Sequence, residues 1–341
     1  MKKYLTILLL LAIALLSSCN LDNQGIFAEV LDRVPSDNRK LSFIGEDSNI
    51  VYFKSVKGIE SYDLTNGTYT TIDSSADSRK NNVFVFNKAN KEILYFVDKA
   101  TSDSVSYDSC YKLDLSSNTP PTKLINNSED IFVGSYNEFL IGKDGSVYSY
   151  TIATDNTIST DNTISFSKVD QATGEYYKNI DNIFAFLDNS TNLLKYYKFT
   201  GTGFKELKLP EGLSSLGLLR SVSDDGKYLI FSEVNGQTGT FAFELDDTTY
   251  ELKKLSTKLS SSNIQKDFES FVDSGYLYFA FDGSNIFNKY NLSNNELTTT
   301  TISKLANVAI VGYFKVGSDY KICTANNGFF TLSLEGTPHL T

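Results

Sequence analysis

Residues 221–255 read SVSDDGKYLIFSEVNGQTGTFAFELDDTTYELKKL. Short runs of aliphatic and aromatic residues are separated by Asp-Asp-Gly, by Asn-Gly and by the polar segment Asp-Asp-Thr-Thr. Runs of this kind, bounded by turn residues, are typical of antiparallel strands. The stretch therefore predicts four consecutive strands joined by three turns.

The same pattern returns along most of the chain. Seven copies of the third strand align on one apolar position, and a second apolar residue stands two places before it in each copy. The aligned positions, with a mean spacing of 45 residues, are Leu64, Leu115, Ile152, Phe199, Leu245, Leu292 and Leu334. Four strands repeated at this period are the signature of a β-propeller, in which radial repetition protects the strand edges.

The sequence therefore predicts an all-β fold, a β-propeller of four-stranded antiparallel blades over residues 41–341. We expect seven blades, and six or eight would also fit the repeat. The predicted blade intervals are 41–73, 74–124, 125–169, 170–209, 210–255, 256–302 and 303–341. Tandem β-sandwiches are the alternative, but they would need a linker, and no Pro/Gly-rich linker is present. Residues 26–30 could pair with the last blade and close the ring.

The N-terminus forms a separate signal. Lys2 and Lys3 precede an apolar run over residues 5–16, which is short for a membrane span and typical of a secretory signal peptide. Residues 16–19, Leu-Ser-Ser-Cys, resemble the lipobox of bacterial lipoproteins. This resemblance implies cleavage before Cys19 and its acylation, with palmitate among the acyl chains. An ordinary signal peptide with an incidental cysteine is the alternative.

The predicted organisation is a lipoprotein signal peptide at 1–18, a lipidated cysteine with a tether at 19–40, and the propeller. Several acyl chains anchor a protein stably, where one chain is marginal. The residue after the cysteine is Asn20 and not the Asp that retains lipoproteins in the inner membrane of some bacteria. We therefore expect the outer membrane, with the exposed face left open.

Residues 223–231, SDDGKYLIF, resemble the S-x-D-G-K-x-I-x-F motif of propellers related to the WD-repeat class, including the Tol-associated periplasmic type. In that motif Asp and Gly form the turn between the first two strands, so the resemblance implies a fold and not a reaction. It covers about one blade well. Combined with the lipobox, it is similar in outline to the propeller lipoprotein of outer-membrane barrel assembly.

Charge limits the possible partners. The formal net charge is -10, and it becomes -12 once Lys2 and Lys3 are removed with the signal peptide. No block of Lys and Arg stands out, so we expect neither nucleic acid nor an electrostatic grip on anionic lipid. The partners expected are membrane lipid, through Cys19, and a protein or carbohydrate ligand.

The residues needed for familiar catalytic sites are scarce. His339 is the single histidine, so a Ser-His-Asp set or a His-rich zinc site has no source. Cys110 and Cys323 fall in different repeats and are expected to be buried free thiols, with a disulfide as the alternative. The conspicuous carboxylates Asp144, Asp224–Asp225 and Asp246–Asp247 fall in predicted turns, where Asp bonds the local backbone.

Loops offer the remaining candidates. The connections between blades at 73–81, 210–218 and 256–268, with the long loop at 100–109, should share the face that related propellers use for binding. Residues 154–165 repeat TDNTIS once, and this duplication is expected to form an exposed hairpin loop. A calcium loop using Asp155 and Asp161, or a surface epitope, is the alternative.

These observations favour a membrane-anchored, non-enzymatic propeller that serves as a binding or scaffold module of the cell envelope. No catalytic, cofactor or metal residue is assigned, and Cys19 is the one predicted modification site. The alternative is a calcium-dependent hydrolase of the lactonase type, which would need three or four acidic or amide side chains converging on the central channel.

Overall fold

The structure, a computed structural model, describes residues 39–76, 83–98, 107–117, 119–126, 132–154 and 162–341. Short 3-10 helices occupy Ser74–Ala76 and Ser303–Leu305. In chain order the strands are β1 (Ser42–Asp47), β2 (Ile50–Ser55), β3 (Gly58–Asp63), β4 (Thr68–Asp73), β5 (Val83–Asn87), β6 (Glu92–Asp98), β7 (Tyr107–Asp114), β8 (Thr122–Asn126), β9 (Phe132–Tyr136), β10 (Phe139–Gly142), β11 (Val147–Thr154), β12 (Asn162–Asp170), β13 (Glu175–Ile180), β14 (Ile183–Asp188), β15 (Leu193–Phe199), β16 (Phe204–Glu206), β17 (Leu216–Val222), β18 (Tyr228–Val234), β19 (Gln237–Leu245), β20 (Leu252–Lys254), β21 (Ser270–Asp273), β22 (Tyr276–Ala280), β23 (Ile286–Asn291), β24 (Leu297–Thr301), β25 (Ile310–Val316), β26 (Asp319–Thr324), β27 (Gly328–Ser333) and β28 (His339–Leu340).

Each run of four consecutive strands pairs as one antiparallel blade, and seven such blades form the ring. The predicted all-β propeller with seven blades is therefore confirmed. Each blade lies inside its predicted interval, except that β8 and β12 run one or two residues past theirs. Among the described residues, no helix is both long enough and apolar enough to cross a membrane.

The blades are held together by side chains on both faces of their strands. In β18, Leu229 and Phe231 pack into a core that also contains Ile183 of blade 4. Ile230, on the other face of the same strand, packs with Leu277 of blade 6. Burial of both faces explains why residues 228–231 are almost continuously apolar and do not alternate strictly with polar residues.

The Asp-Asp-Gly turn between β17 and β18 has the geometry that the sequence predicts. The amide of Gly226 donates to the carbonyl of Ser223 at 2.8 Å, and Gly226 has a φ of +71°. Glycine adopts this left-handed conformation without the steric penalty of a Cβ atom. The turn therefore sets the register in which β17 and β18 pair.

The ring closes between blade 7 and blade 1 through residues just before β1. The amide of Leu41 donates to the carbonyl of Ala325 at 2.8 Å, and the amide of Val56 donates to the carbonyl of Arg39 at 2.9 Å. Across the same seam, the rings of Tyr62 and Phe329 stack at 3.8 Å. The predicted pairing of residues 26–30 with the last blade lies outside the described residues.

Blades 2 and 3 are joined at their outer edges. Strand β12 pairs in parallel with β8, so the two blades form one eight-stranded sheet. The second TDNTIS copy contributes residues 162–165 to β12, and Ile164 of this copy is buried. The expectation of an exposed loop is therefore wrong for these residues, since Ile164 completes the core of the fused sheet; residues 155–161 lie outside the described residues.

Both cysteines of the propeller are buried and lie outside any disulfide, as predicted. Cys110 lies on β7 in blade 2 and Cys323 on β26 in blade 7. Burial raises the pKa of the Cys110 thiol well above its usual range. A thiol of this kind is chemically inert, because the reactive form is the thiolate.

Candidate functional site

The first strand of each blade lines a central channel. Contacts across blade boundaries mainly join these first strands: β1 contacts β5 and β25, β5 contacts β9, β13 contacts β17, and β21 contacts β25. The turns that join first and second strands therefore surround one end of the channel. We call this end the turn mouth; its residues are 48–49, 88–91, 137–138, 181–182, 223–227, 274–275 and 317–318.

A recess of about 920 Å³, here called the mouth recess, opens at the turn mouth beside blades 1 to 4. Aromatic side chains and carboxylates line it together: Phe43, Phe84, Phe86, Tyr136, Glu46, Glu138 and Asp181. Gly45 makes the close approach of blades 1 and 2 possible, because a Cβ atom at this position would lie 2.3 Å from the ring of Phe86. The volume is within the range of ligand sites in proteins.

A second recess of about 500 Å³, here called the channel recess, continues from the first. The two share the residues Phe43, Glu46, Tyr136, Asn137 and Asp181. The channel recess extends past Asp224 to Glu269 on the approach to β21 and to Tyr313 on β25. The two recesses therefore form one continuous space from the turn mouth into the ring.

Two carboxylates in this space have strongly raised pKa values. Burial among the blades, together with the nearby charges of Asp181 and Asp267, raises the pKa of Glu269 to about 8. Burial raises the pKa of Asp181 to about 6. Both residues are nevertheless solvent-exposed, so solvent screens much of this effect. No cation acts to lower either pKa, so each carboxylate carries its charge at a cost.

Two further carboxylates of the channel follow the same trend. Burial raises the pKa of Glu46, and Lys88 opposes this only in part. Burial also raises the pKa of Asp224, and the charge of Asp225 adds to the effect. One oxygen of Asp224 accepts from the amide of Val272 at 2.9 Å, which ties blade 5 to blade 6.

Asp267 shows what a paired carboxylate in the same region looks like. Its oxygens accept from the ammonium of Lys178 at 2.7 Å and from the guanidinium of Arg220 at 3.4 Å. Both cations are largely buried, while Asp267 is exposed. Lys178 and Arg220 are therefore already engaged by Asp267. The charges that act on Glu269 are those of Asp181 and Asp267, and both are negative.

A third recess, of about 450 Å³, lies between blades 2 and 3 and is centred on Glu92. One oxygen of Glu92 accepts from the hydroxyl of Tyr150 at 3.0 Å and from the amide of Asn90 at 3.3 Å. The other oxygen lies 3.5 Å from the ammonium of Lys112. Glu92 is buried and satisfied, so this network links two blades and leaves little capacity for a ligand.

The carboxylates that the sequence made conspicuous are mostly turn residues. Asp144 accepts from the amide of Ser146 at 3.0 Å, and Asp225 accepts from the amide of Lys227 at 3.0 Å. Asp246 accepts from two amides of its own turn. Asp247 instead binds Lys198 of blade 4 at 2.5 Å. The turn interpretation therefore applies to Asp144, Asp225 and Asp246, while Asp224 and Asp247 connect neighbouring blades.

Other predicted positions fall away from the recesses. His339 lies exposed on the edge strand β28. Residues 73–76 and 210–215, the described parts of two nominated connections, lie at the opposite end of the blades, since antiparallel strands put the connections between blades there. Asp267, at the end of a third connection, instead lies near Glu269. Cys19 and residues 77–82 and 100–106 lie outside the described residues, and their predicted roles stay predictions.

Glu46, Asp181 and Glu269 were not predicted from the sequence as residues of a functional site. They come from blades 1, 4 and 6, and only closure of the ring brings them to one channel. Within the described part of the chain, no group of three or more His, Cys, Asp or Glu residues is placed to hold a metal ion. The carboxylates therefore line one channel but are not arranged to coordinate a single metal ion.

The sequence matches no family model and no curated protein. Solved structures with a similar fold include the complex of KlAtg21 with the coiled-coil of AgAtg16, at 12% identity and a TM-score of 0.51, covering 89% of this chain and 97% of that chain. YCF48 bound to D1 peptide has 11% identity and a TM-score of 0.50, and the match covers 89% of this chain and 95% of that chain. The Cps50 (Swd1) propeller domain of Myceliophteria thermophila has 8% identity and a TM-score of 0.48, and the match covers 84% of this chain and 94% of that chain. At these identities the similarity establishes the fold alone.

Proposed function

We propose that this chain is a membrane-anchored bacterial lipoprotein whose propeller binds a protein partner and catalyses no reaction. The observation that carries the binding role is the mouth recess. This recess has a volume of about 920 Å³, is lined by aromatic and charged side chains, and lies on a rigid ring of blades. Such rigid scaffolds with a concave, mixed lining are typical of binding sites.

Two solved propellers of similar fold are described with bound polypeptides, one a coiled-coil and the other a peptide. These two structures favour a protein over a carbohydrate as the partner that we propose for this chain. The calcium-dependent hydrolase needs three or four converging acidic or amide ligands, and no group of three or more His, Cys, Asp or Glu among the described residues is placed to hold a metal ion. No specific observation therefore favours the enzymatic alternative.

The partner can be sought with a photo-reactive amino acid placed in the full chain. Asn137, exposed at the turn mouth, is the test position; Leu193, exposed at the opposite end of the blades, is the matched control. We expect a discrete cross-linked protein from position 137 only. Equal labelling from both positions, or none from either, would contradict a binding site at the turn mouth.

The membrane anchor is supported by the lipobox-like residues 16–19 and by the predicted tether that follows. Growth with labelled palmitate should label the wild-type chain and the Cys110→Ala control. The Cys19→Ala variant should lose the label and leave the outer-membrane fraction. Persistent label in Cys19→Ala would refute the anchor and leave the binding role to be judged separately.

A further inference from the structure

We propose that the turn mouth receives a lysine or arginine side chain of the partner polypeptide, held by Glu46, Asp181 and Glu269 with the aromatic wall of the mouth recess. This inference rests on the proposed protein-binding function and names the chemistry of the bound segment. It is carried by three features of the continuous space: its shape, its unbalanced charge and its aromatic lining.

The shape suits an inserted side chain better than a flat contact. The mouth recess and the channel recess share Asp181, Glu46 and Phe43, so an object entering between blades 1 and 4 can continue toward Glu269. A long unbranched side chain can follow such a path while its backbone stays at the turn mouth.

The charge of this space is unbalanced toward acid. Glu46, Asp181 and Glu269 line the recesses, partial desolvation raises their pKa values, and none of the three forms a salt bridge within the described residues. The two lysines that line the recesses form their salt bridges with other carboxylates. Lys198 binds Asp247 at 2.5 Å, and Lys88 lies 3.9 Å from Asp47 while acting on Glu46 only in part. A cation entering the channel would therefore meet Asp181 and Glu269, which have no salt-bridge partner among the described residues.

The lining supplies a second, independent indication. Phe43 is 45% exposed on the innermost strand of blade 1, although large apolar side chains are usually buried. The buried hydroxyl of Tyr313, whose residue lines the channel recess, has no hydrogen-bond partner among the described residues. An aromatic face beside carboxylates attracts ammonium and guanidinium groups. The apolar stems of Lys and Arg match the ring of Phe43 at the same time.

The same features argue against simpler cations. A metal ion needs several ligands at one point, and no group of three or more His, Cys, Asp or Glu among the described residues is placed to supply them. A free polyamine would meet the carboxylates but would gain nothing from a backbone docked against the exposed turn residue Asn137. A polypeptide carrying a basic side chain uses both the channel and the turn mouth.

The test measures binding of fluorescent peptides to the full chain in neutral detergent by anisotropy. The probe alternates glycine with lysine, and its counterpart alternates glycine with glutamate. The channel variant is Glu46→Gln, Asp181→Asn and Glu269→Gln. The control variant removes the same charge at exposed carboxylates with no ion pair among the described residues: Glu175→Gln, Glu211→Gln and Glu335→Gln. Circular dichroism of both variants verifies that the ring is folded.

We expect the lysine peptide to bind the wild type and the control variant equally, and the channel variant at least about tenfold more weakly. Equal weakening in both variants would mean attraction by net charge alone and would overturn the proposal. Binding of the glutamate peptide, no binding of the lysine peptide, or full competition by spermidine at equal concentration would overturn it too.

The peptide test and the photo-cross-linking test distinguish recognition of a basic side chain from protein binding in general. A cross-linked partner at position 137 that persists in the channel variant, with its affinity unchanged, would refute the cationic side chain and leave the binding function standing. Loss of every cross-link in the wild type would refute the binding function itself.

Discussion

Two sets of carboxylates on the same ring differ in what surrounds them. The turn residues Asp63, Asp114 and Asp246 accept hydrogen bonds from nearby amides or hydroxyls, and these bonds lower their pKa values. The channel residues Asp181 and Glu269 have raised pKa values because the surrounding blades desolvate them in part and no cation offsets this, although both side chains remain solvent-exposed. The first set stabilises the fold in its charged form, while the second set is destabilised by charge.

The pH dependence of stability should therefore have opposite signs for the two sets. A lowered pKa in the folded state contributes stability above the unfolded value, and that stability is lost as the pH falls through the folded pKa. A raised pKa acts in reverse, since the folded state binds more protons: stability falls as the pH rises through about 6 for Asp181 and about 8 for Glu269. Groups that oppose folding are often kept for function.

The largest expected effect comes from a buried carboxylate that is fully paired. Glu92→Ala removes the acceptor for Tyr150 and Asn90 and the counter-charge of Lys112. We expect the free energy of unfolding to fall by about 2 kcal/mol, because buried partners lose their bonds. Denaturant titration measures this change. Glu138→Ala, at an exposed carboxylate lining the same recess, is the control and should leave stability unchanged.

A smaller loss is expected at a turn. Asp225→Ala removes the acceptor for the amide of Lys227 and for the hydroxyl of Ser223. The expected cost is about 1 kcal/mol, measured by denaturant titration. Asp225→Asn should recover most of it, since asparagine forms the same turn bonds. An Asn variant as unstable as the Ala variant would mean that the charge of Asp225, and not its turn bonds, matters.

The smallest effect has the opposite sign. Glu269→Gln removes a charge that the channel disfavours, so the variant should be more stable than the wild type near pH 9. The gain should be below about 1 kcal/mol, because channel water screens the charge. The difference should vanish near pH 4, where the wild-type carboxyl is protonated as well. A variant less stable than the wild type at high pH would show that Glu269 is paired.

The repeat pattern predicted the fold because each blade encodes its own turns and buried faces locally. The seven aligned apolar positions fall on or beside the third strand of each blade, as at Leu245 in β19 and Phe199 in β15. The Asp-Asp-Gly turn likewise needs only neighbouring residues, Ser223 and Gly226. Such local information survives without any knowledge of the ring.

The channel could not be predicted in the same way. Glu46, Asp181 and Glu269 lie far apart in sequence, and each sits among ordinary strand and turn residues. Their meeting depends on the number of blades and on the height of each residue along the axis. The signal available in sequence was a charged residue, Glu269, beside the apolar Phe268 and Phe271, and this alone does not distinguish a channel from solvent.

The fused edge of blades 2 and 3 escaped prediction for a similar reason. The TDNTIS duplication has the composition of a loop, with Asn, Asp, Ser and Thr predominating. In the structure, Ile164 nevertheless enters the core beside Leu124, and β12 pairs with β8. Tertiary packing here overrides local preference, as is common for strands.

Asp181 and Glu269 lack a salt-bridge partner among the described residues, and we propose that a basic side chain of the partner supplies one. The most direct test is to titrate the side-chain carboxyls of Asp181 and Glu269 in the full chain by NMR, with and without the lysine peptide. We expect raised pKa values of about 6 for Asp181 and about 8 for Glu269 in the free protein, and a fall of both when the peptide binds. Ordinary values in the free protein, or values that the bound peptide leaves unchanged, would contradict this proposal.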